Sequence, residues 1–224
     1  MPDFDQSLTP AERVLLRGLT TPYKIQTFLD SLEYSPEERY RCPLTVWRDR
    51  VGHCFDGAVL AAAMLRRLGH TPLILDLLPN RWDDDHILAL YKMDRHWGAL
   101  AKSNFSGLRF REPIYRTLRE LGLSYFEDYF NARGDKTLRG YTVPLNLAAF
   151  DKFNWLTDDA TMDKIAGRLG EIRQVKLLTP RMVARLAPVD ERSLAAGLLG
   201  VNETGLYQPP SKTNPRHHMK KHTE

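Results

Sequence analysis

The amino-acid sequence predicts an α+β fold in which a cysteine-bearing helix packs on an antiparallel sheet, with extra helices on the C-terminal side. An apolar, alanine-rich run at 54–68 ends at Gly69, as expected of a buried helix with a glycine after its last turn. Residues 70–101 hold three apolar segments separated by turn residues, which indicates strands. Beyond residue 111 the apolar positions recur at helical spacing.

Two short helices are predicted near the N-terminus, in "TPAERVLLRGL" and "TPYKIQTFLDSLEY". Each opens with Thr-Pro, where threonine can cap the helix and proline suits the first helical position. Residues 35–53 are predicted to be an irregular connection, because Pro36 and Pro43 interrupt regular structure. Cys42, directly before a proline, is expected to be extended.

The region after the central helix is predicted to form an antiparallel meander. "HTPLILDLLP" indicates one strand, and the segments at 86–91 and 97–101 indicate two more, joined by the turn "MDRH". Residues 112–131 are predicted to be helical, and 133–147 to be loop and short strand. Further helices are expected at 161–177, 180–186 and 191–199. We expect residues 1–208 to form a single domain.

The charge of the chain is concentrated at its end. The net charge is +4, and residues 209–224 contribute four cations and one anion, which leaves +1 for residues 1–208. The segment 209–224, "PPSKTNPRHHMKKHTE", is too polar to bury a core and is predicted to be a disordered basic tail. A near-neutral body makes a nucleic-acid partner improbable.

Hydropathy and cysteine content indicate in which compartment the protein is expected. No apolar run reaches the roughly 18 residues of a membrane span, and the first residues lack the apolar core of a signal peptide. We therefore expect a soluble cytoplasmic protein with no membrane partner. The only two cysteines, Cys42 and Cys54, fit two free thiols, one structural and one reactive, although a bridge between them is an open alternative.

Cys54 is the candidate nucleophile. It follows the Gly-His pair of "RVGHCFDGAVLAAAML" and stands at the mouth of the predicted helix. Unpaired N–H groups and the helix dipole at that position favour a thiolate and can hold an oxyanion. Gly52 allows a sharp turn, and Gly57 leaves room on the first helical turn. The competing interpretation is that Cys54 is a small buried hydrophobic residue.

His86 is the candidate general base, because it opens a predicted strand 32 residues after Cys54. Its orienting partner is expected on the next strand, near residues 101–104. Two alternatives remain at this point: a solvated histidine beside the acidic run Asp83–Asp85, or a metal hydrolase site formed by that run. Three consecutive aspartates cannot all converge on one ion, so we expect neither a metal nor a cofactor.

These residues together resemble the transglutaminase-like (papain-like cysteine) superfamily. The likeness lies in "GHCFDGAVLAAAMLRRLGH", "DDDHILALY" and "HWGALAKSN", and it extends upstream to the segment ending in Tyr34, covering about residues 20–105. It implies that Cys54 is the nucleophile and His86 the base. The family places an acid four or five residues after the tryptophan, which here falls on Ala101 or Lys102. The third catalytic member is therefore assigned to Asn104, with Ser103 as the next choice.

The resemblance implies an enzyme that attacks an amide or thioester carbonyl through an acyl-enzyme, with a peptide or protein amide as the favoured substrate. Hydrolysis, deamidation and acyl transfer share that intermediate, and hydrolysis is favoured because no acceptor pocket is evident. The alternative is a catalytically degenerate binding module of the same fold, suggested by Ala101 and Lys102 at the position of the acid.

Overall fold

The computed structural model describes residues 2–208. The predicted basic tail, 209–224, lies outside the described residues. A two-stranded parallel pair and a larger antiparallel sheet account for the strands. The strands are β1 (Glu33–Tyr34), β2 (Val51–Gly52), β3 (Leu73–Pro79), β4 (His86–Met93), β5 (His96–Leu100), β6 (Arg111–Tyr115), β7 (Leu138–Thr142), β8 (Leu145–Asn146) and β9 (Gln174–Lys176).

The α-helices of the described chain are short apart from one central and one C-terminal helix. They are α1 (Pro2–Ser7), α2 (Pro10–Gly18), α3 (Pro22–Asp30), α4 (Pro43–Asp49), α5 (Cys54–Arg67), α6 (Leu118–Leu123), α7 (Ala160–Glu171), α8 (Pro180–Val183) and α9 (Glu191–Gly197). Three short 3₁₀ segments, Phe126–Asp128, Leu147–Phe153 and Glu203–Gly205, complete the regular structure of residues 2–208. None of the helices within this range is long and apolar enough to cross a membrane.

The larger sheet is antiparallel and follows the order β6-β5-β4-β3-β7-β9, with β8 also pairing with β3. Helix α5 packs on one face of this sheet, mainly against β4, and also contacts α3 and α4. This arrangement confirms the predicted α+β fold with a cysteine-bearing helix on an antiparallel sheet.

Both faces of the central strands are buried, which explains their continuous apolar sequence. Ile87, Ala89 and Tyr91 of β4 join the core that contains α5. Leu88 and Leu90 point to the opposite face and join a second core, which α6 and the segment after it cover. Successive side chains of a strand alternate between faces, so a strand covered on both sides needs apolar residues throughout.

The predicted helix α5 and strands β3, β4 and β5 are confirmed, and the turn between β4 and β5 places Asp94 and Arg95 at positive φ. The prediction that residues 35–53 are irregular is wrong in part, because α4 lies within this range. Pro43 stands at the first helical position, where its missing N–H costs nothing, so it begins a helix rather than ending regular structure.

Two helices predicted after residue 111 are shorter than expected. The first part of 112–131 is the edge strand β6, where Pro113 is tolerated because an edge strand has one side without a partner. Only α6 and a 3₁₀ turn at 126–128 are helical in that range. The helix predicted at 161–177 ends at Glu171, and the residues after it form the opposite edge strand β9.

Candidate active site

Cys54 is the first residue of the fourteen-residue helix α5. Arg50 at φ 58° and the extended His53 turn the chain sharply from α4 into α5. The thiol is 8 % exposed, and its Sγ lies 3.8 Å from the carbonyl oxygen of Asp85. Since Asp85 directly precedes His86, the helix mouth adjoins the start of β4, as the sequence predicted for a cysteine–histidine site.

A buried ion pair braces the first turn of α5. Asp56, fully buried, accepts hydrogen bonds from the backbone N–H groups of Arg41 (2.8 Å) and His53 (3.2 Å). The Arg41 guanidinium lies 3.4 Å from the same carboxylate. Burial raises the pKa of Asp56 to about 7, against the hydrogen bonds and charge from Arg41 and His53, which lower it. The brace fixes the residue before Cys54 and thereby the position of the thiol.

Gly57 allows β5 and its continuation to approach the helix. A Cβ atom on Gly57 would lie 2.3 Å from Cβ of Lys102, a distance that no two such atoms tolerate. Lys102 is buried, and its Nζ donates to the carbonyl of Leu32 at 2.5 Å. Lys102, one of the two positions where the resemblance would place an acid, thus packs under the Cys54 turn and fixes the segment before Tyr34.

His86 is the first residue of β4 and is 5 % exposed. Its Nε2 lies 2.7 Å from the carbonyl oxygen of Leu108. A carbonyl can only accept a hydrogen bond, so Nε2 carries the proton and Nδ1 of the neutral ring is the acceptor. The ring also packs edge-to-face on Tyr129, with centroids 6.4 Å apart. The imidazole thus has a fixed tautomer and orientation.

The surroundings of His86 favour the neutral ring. Burial lowers its pKa to about 4, and the nearby Arg111 adds to this, while the Leu108 hydrogen bond and Asp85 act in the opposite direction. A neutral imidazole is the form that can accept a proton, and it is the form of His86 near pH 7.

The two residues assigned as third catalytic member have other partners. The Nδ2 group of Asn104 donates to the backbone carbonyl of Asn202 at 2.9 Å. The backbone N–H of Asn202 donates to Oδ1 of Asn104 at 2.8 Å. The Ser103 hydroxyl accepts from the N–H of Phe105 at 3.0 Å. The orienting bond to His86 comes from Leu108 instead. The assignment to Asn104 or Ser103 expected the strand to continue to these residues, but β5 ends at Leu100 and the chain then turns to Asn202.

The acidic run Asp83–Asp85 forms a hydrogen-bonded turn. Asp84 N–H donates to Asp83 and Asp85 N–H to Asp84, at 3.0 and 3.1 Å, while the Thr137 hydroxyl donates to the other Asp83 oxygen. The Tyr129 hydroxyl, 2.8 Å from the Asp84 carbonyl, holds the turn in place. Within residues 2–208 no three acidic, histidine or cysteine side chains converge as a metal site would require.

Cys42 is a free, fully buried thiol, and no bridge joins it to Cys54. Its Sγ lies 3.4 Å from the Thr45 hydroxyl, and burial raises the pKa of the thiol. Both cysteines are therefore free thiols, and Cys42 provides an internal reference for the reactivity of Cys54.

A pocket of about 540 Å³ lies between three segments of the chain. Its walls come from the segment after α3, the chain after β5 and the C-terminal segment around residue 200. The polar residues that line it include Tyr34, Lys102, Asn104, Arg109 and Asn202. Lys102 both lines this pocket and packs against Gly57, so one side chain links the pocket wall to the first turn of α5.

Sequence reasoning missed three components of this site. Asp56 could have been found, because it is the one acidic residue of the helix and stands in its otherwise apolar first turn. Arg41 lies in a segment taken as irregular, where nothing marks it as the buried partner. Leu108 acts through its backbone carbonyl, which every residue has, so no sequence signal exists for it.

Similarity to known proteins is confined to solved structures. No protein-family model matches the chain, and no curated protein matches it. Among solved structures, the chain is similar to LapG of Legionella pneumophila at 15 % identity, covering 45 % of this chain and 67 % of that one, with a TM-score of 0.34. An EGTA-treated form of LapG is 14 % identical over 73 % of this chain and 94 % of that one, with a TM-score of 0.39. At these scores the likeness carries no argument about function.

The order of elements along the chain is the one that the sequence analysis expected. Cys54 begins a small-residue helix, His86 begins the second strand after it, and Trp97 lies on the antiparallel neighbour of that strand.

Proposed function

We propose that the protein is a cysteine hydrolase that cleaves an amide or thioester carbonyl through an acyl-enzyme on Cys54. The observation that carries the proposal is the juxtaposition of the helix-terminal thiol with the segment that opens β4. There the thiol contacts the carbonyl of Asp85, and the next residue is a histidine whose Nε2–H is already engaged. His86 therefore has only Nδ1 with which to take the thiol proton.

The reaction follows from these positions. His86 Nδ1 accepts the Cys54 proton as Sγ bonds to the carbonyl carbon, and the carbonyl oxygen becomes an oxyanion. The intermediate collapses, the carbon–nitrogen or carbon–sulfur bond breaks, and the leaving group takes the proton from His86. Water then attacks the thioester, giving its proton to Nδ1, and the carboxylic acid leaves as the Cys54 thiol regains that proton.

The neutral state of His86 determines when the proton is transferred in this mechanism. Because burial disfavours the imidazolium form of His86, the proton moves to the ring as the thiol attacks and does not rest there beforehand. The Leu108 carbonyl orients the ring but stabilises the imidazolium less than a carboxylate would. We therefore expect slower turnover than a full triad would support.

A peptide or protein amide is the proposed substrate. The pocket that Lys102 lines has room for several atoms of a substrate chain, and its polar wall suits backbone amides. The scissile carbonyl would lie over the first turn of α5, where the N–H groups of the helix can reach its oxygen.

The test uses p-nitrophenyl acetate as a general acyl donor. Wild type should release nitrophenolate catalytically, and Cys54→Ala and His86→Ala should reduce the rate to that of buffer. Cys42→Ala is the matched control and should keep the wild-type rate, since Cys42 is fully buried and its Sγ lies by the Thr45 hydroxyl. Equal turnover by wild type and Cys54→Ala would refute the proposal.

One observation favours the second candidate, a catalytically degenerate binding module. Asn104 and Ser103 are both engaged elsewhere, and His86 is bonded to a carbonyl instead of an acid. In that case iodoacetamide would alkylate Cys54 no faster in wild type than in His86→Ala. A faster wild-type rate at Cys54, resolved from Cys42 by peptide mass, excludes this candidate.

A further inference from the structure

The segment that carries Tyr34 is fixed by backbone hydrogen bonds to the segment before Cys54. Glu33 N–H donates to the Arg50 carbonyl at 2.9 Å, and Ser35 N–H donates to the Gly52 carbonyl at 3.3 Å. In the β1–β2 pair Tyr34 stands opposite Gly52, two residues before Cys54. The strand pairing thus sets Tyr34 beside the turn that leads into the nucleophile.

The C-terminal segment fixes the same residue from the other side. Asn202 donates from Nδ2 to the Tyr34 carbonyl at 3.1 Å. Gly205 lies directly on the phenol ring, where a Cβ atom would come within 2.8 Å of the ring carbon Cδ1. Lys102 adds a bond to Leu32, two residues upstream. The backbone and the ring of Tyr34 are therefore both constrained.

The hydroxyl at the end of this constrained ring has no structural task. Among the described residues it takes part in no hydrogen bond, whereas the hydroxyls of Tyr125 and Tyr129 each donate to a carbonyl. Tyr34 pairs with Gly52, two residues before Cys54, which places it at the turn that leads into α5. The charges of Cys54, Asp84, Asp56 and Asp85 act on its phenol. Burial and these charges raise its pKa, so the phenol keeps its proton and remains a donor.

We propose that Tyr34 is a further catalytic residue, whose hydroxyl donates a hydrogen bond to the oxyanion formed when Cys54 attacks the substrate carbonyl. This inference rests on the proposed function. A donor that is positioned in advance stabilises developing charge without reorganisation, and such donors contribute strongly to acyl transfer. The missing acid at His86 makes this contribution more important here.

Tyr34→Phe tests the role, because it removes one oxygen that no described residue binds and leaves the ring packing intact. With p-nitrophenyl acetate we expect about a hundredfold lower kcat/KM. Alkylation of Cys54 by iodoacetamide forms no oxyanion, so its rate should equal that of wild type. Tyr91→Phe is the matched control, since that hydroxyl donates to the Arg111 carbonyl at 3.3 Å, and it should keep the wild-type kcat/KM.

The outcomes separate the two proposals. Wild-type kcat/KM in Tyr34→Phe, with Cys54→Ala inactive, would overturn the role of Tyr34 and leave the proposed function standing. Equal losses in acylation and alkylation would also overturn it, because Tyr34 would then act on the thiol and not on the oxyanion. Full activity in Cys54→Ala would refute the proposed function itself.

Discussion

His86 and Asp56 are buried ionisable side chains with opposite responses to burial. His86 is bonded to a carbonyl, and its pKa falls to about 4, so it is neutral near pH 7. Asp56 has an arginine partner, yet burial still raises its pKa to about 7. In the proposed mechanism His86 is the base for Cys54, and Asp56 is the acceptor that holds the helix mouth. Neither group is solvated, so replacing either affects both stability and reactivity.

The His86 pKa predicts how stability depends on pH. The folded-state pKa is about 4, below the ordinary value of 6.5, so the unfolded chain binds the proton more readily. His86 therefore contributes full stability above about pH 6.5, and this contribution declines as the pH falls towards 4. The difference between the two pKa values corresponds to about 3 kcal/mol of unfolding free energy. Urea unfolding between these pH values should show the decline in wild type.

His86→Gln is the control for this prediction, because glutamine can still donate to the Leu108 carbonyl but does not titrate. Its unfolding free energy should decline less over the same window. Asp56 acts in the opposite direction, since its raised pKa makes the fold more stable as the pH falls, and it does so in both proteins. Identical pH profiles for the two proteins would contradict the assigned His86 pKa.

The Asp56–Arg41 pair predicts a non-additive double-mutant cycle. Asp56→Asn leaves the buried Arg41 guanidinium without its buried counter-charge and should cost about 3 kcal/mol of unfolding free energy. Arg41→Met alone leaves a buried carboxylate and should also destabilise. The double variant should lose clearly less than the sum of the two, as measured by urea unfolding. Additive losses would mean that the pair does not brace the helix mouth.

At the scale of elements, the site depends on how closely α5 approaches the chain that follows β5. Gly57 permits this approach, and the neighbouring turn carries Cys54. The glycine is needed for contact and not for an unusual backbone conformation, because it lies within the helix. Any side chain here pushes α5 away from Lys102, and with it the thiol away from β4.

Gly57→Ala should therefore destabilise the fold although alanine is the better helix former. We expect a loss of about 1–3 kcal/mol in urea unfolding from overpacking, together with slower alkylation of Cys54. Gly167→Ala, in α7, is the matched control, because nothing lies within 4 Å of its Cβ position, and it should stabilise the helix slightly. Equal effects of the two substitutions would show that the close contact has no role.

The elements that the sequence predicted well are those whose local pattern and tertiary setting agree. The alanine-rich run of α5 and the apolar segments of β3, β4 and β5 are buried as their composition indicates. The edge strands β6 and β9 were missed because they are half-exposed and lack a continuous apolar run. Helix α4 was missed because Pro43 has opposite meanings inside a helix and at its start.

At the scale of the whole molecule, the site is assembled from segments far apart in the chain. Cys54 and His86 could be predicted, because a helix mouth and a strand start mark them locally. The Leu108 carbonyl and the Asn202 and Gly205 contacts to Tyr34 could not, since they depend on how the chain beyond β5 and the C-terminal segment return to the site. The single domain at 1–208 and the cytoplasmic location stay predictions.

The C-terminal segment closes one side of the site in this arrangement. Ser106 binds the carbonyls of Ala196 and Gly197 at 2.6 and 3.0 Å, and Asn104 binds Asn202 through two hydrogen bonds. The residues after α9 therefore form a wall of the pocket and a support for Tyr34. That gives the C-terminal third a structural task at the site, which the sequence left open.

The most direct measurement is peptide-resolved mass spectrometry of the wild-type protein after rapid mixing with p-nitrophenyl acetate and acid quenching. The proposed chemistry predicts one acetyl group on the Cys54 peptide that forms quickly and decays by hydrolysis, with none on the Cys42 peptide. In His86→Ala the acetylated Cys54 peptide should form far more slowly. Acetylation of Cys54 at the same rate in both proteins, or no acetyl group on Cys54 at all, would contradict the assignment of a cysteine–histidine catalytic pair.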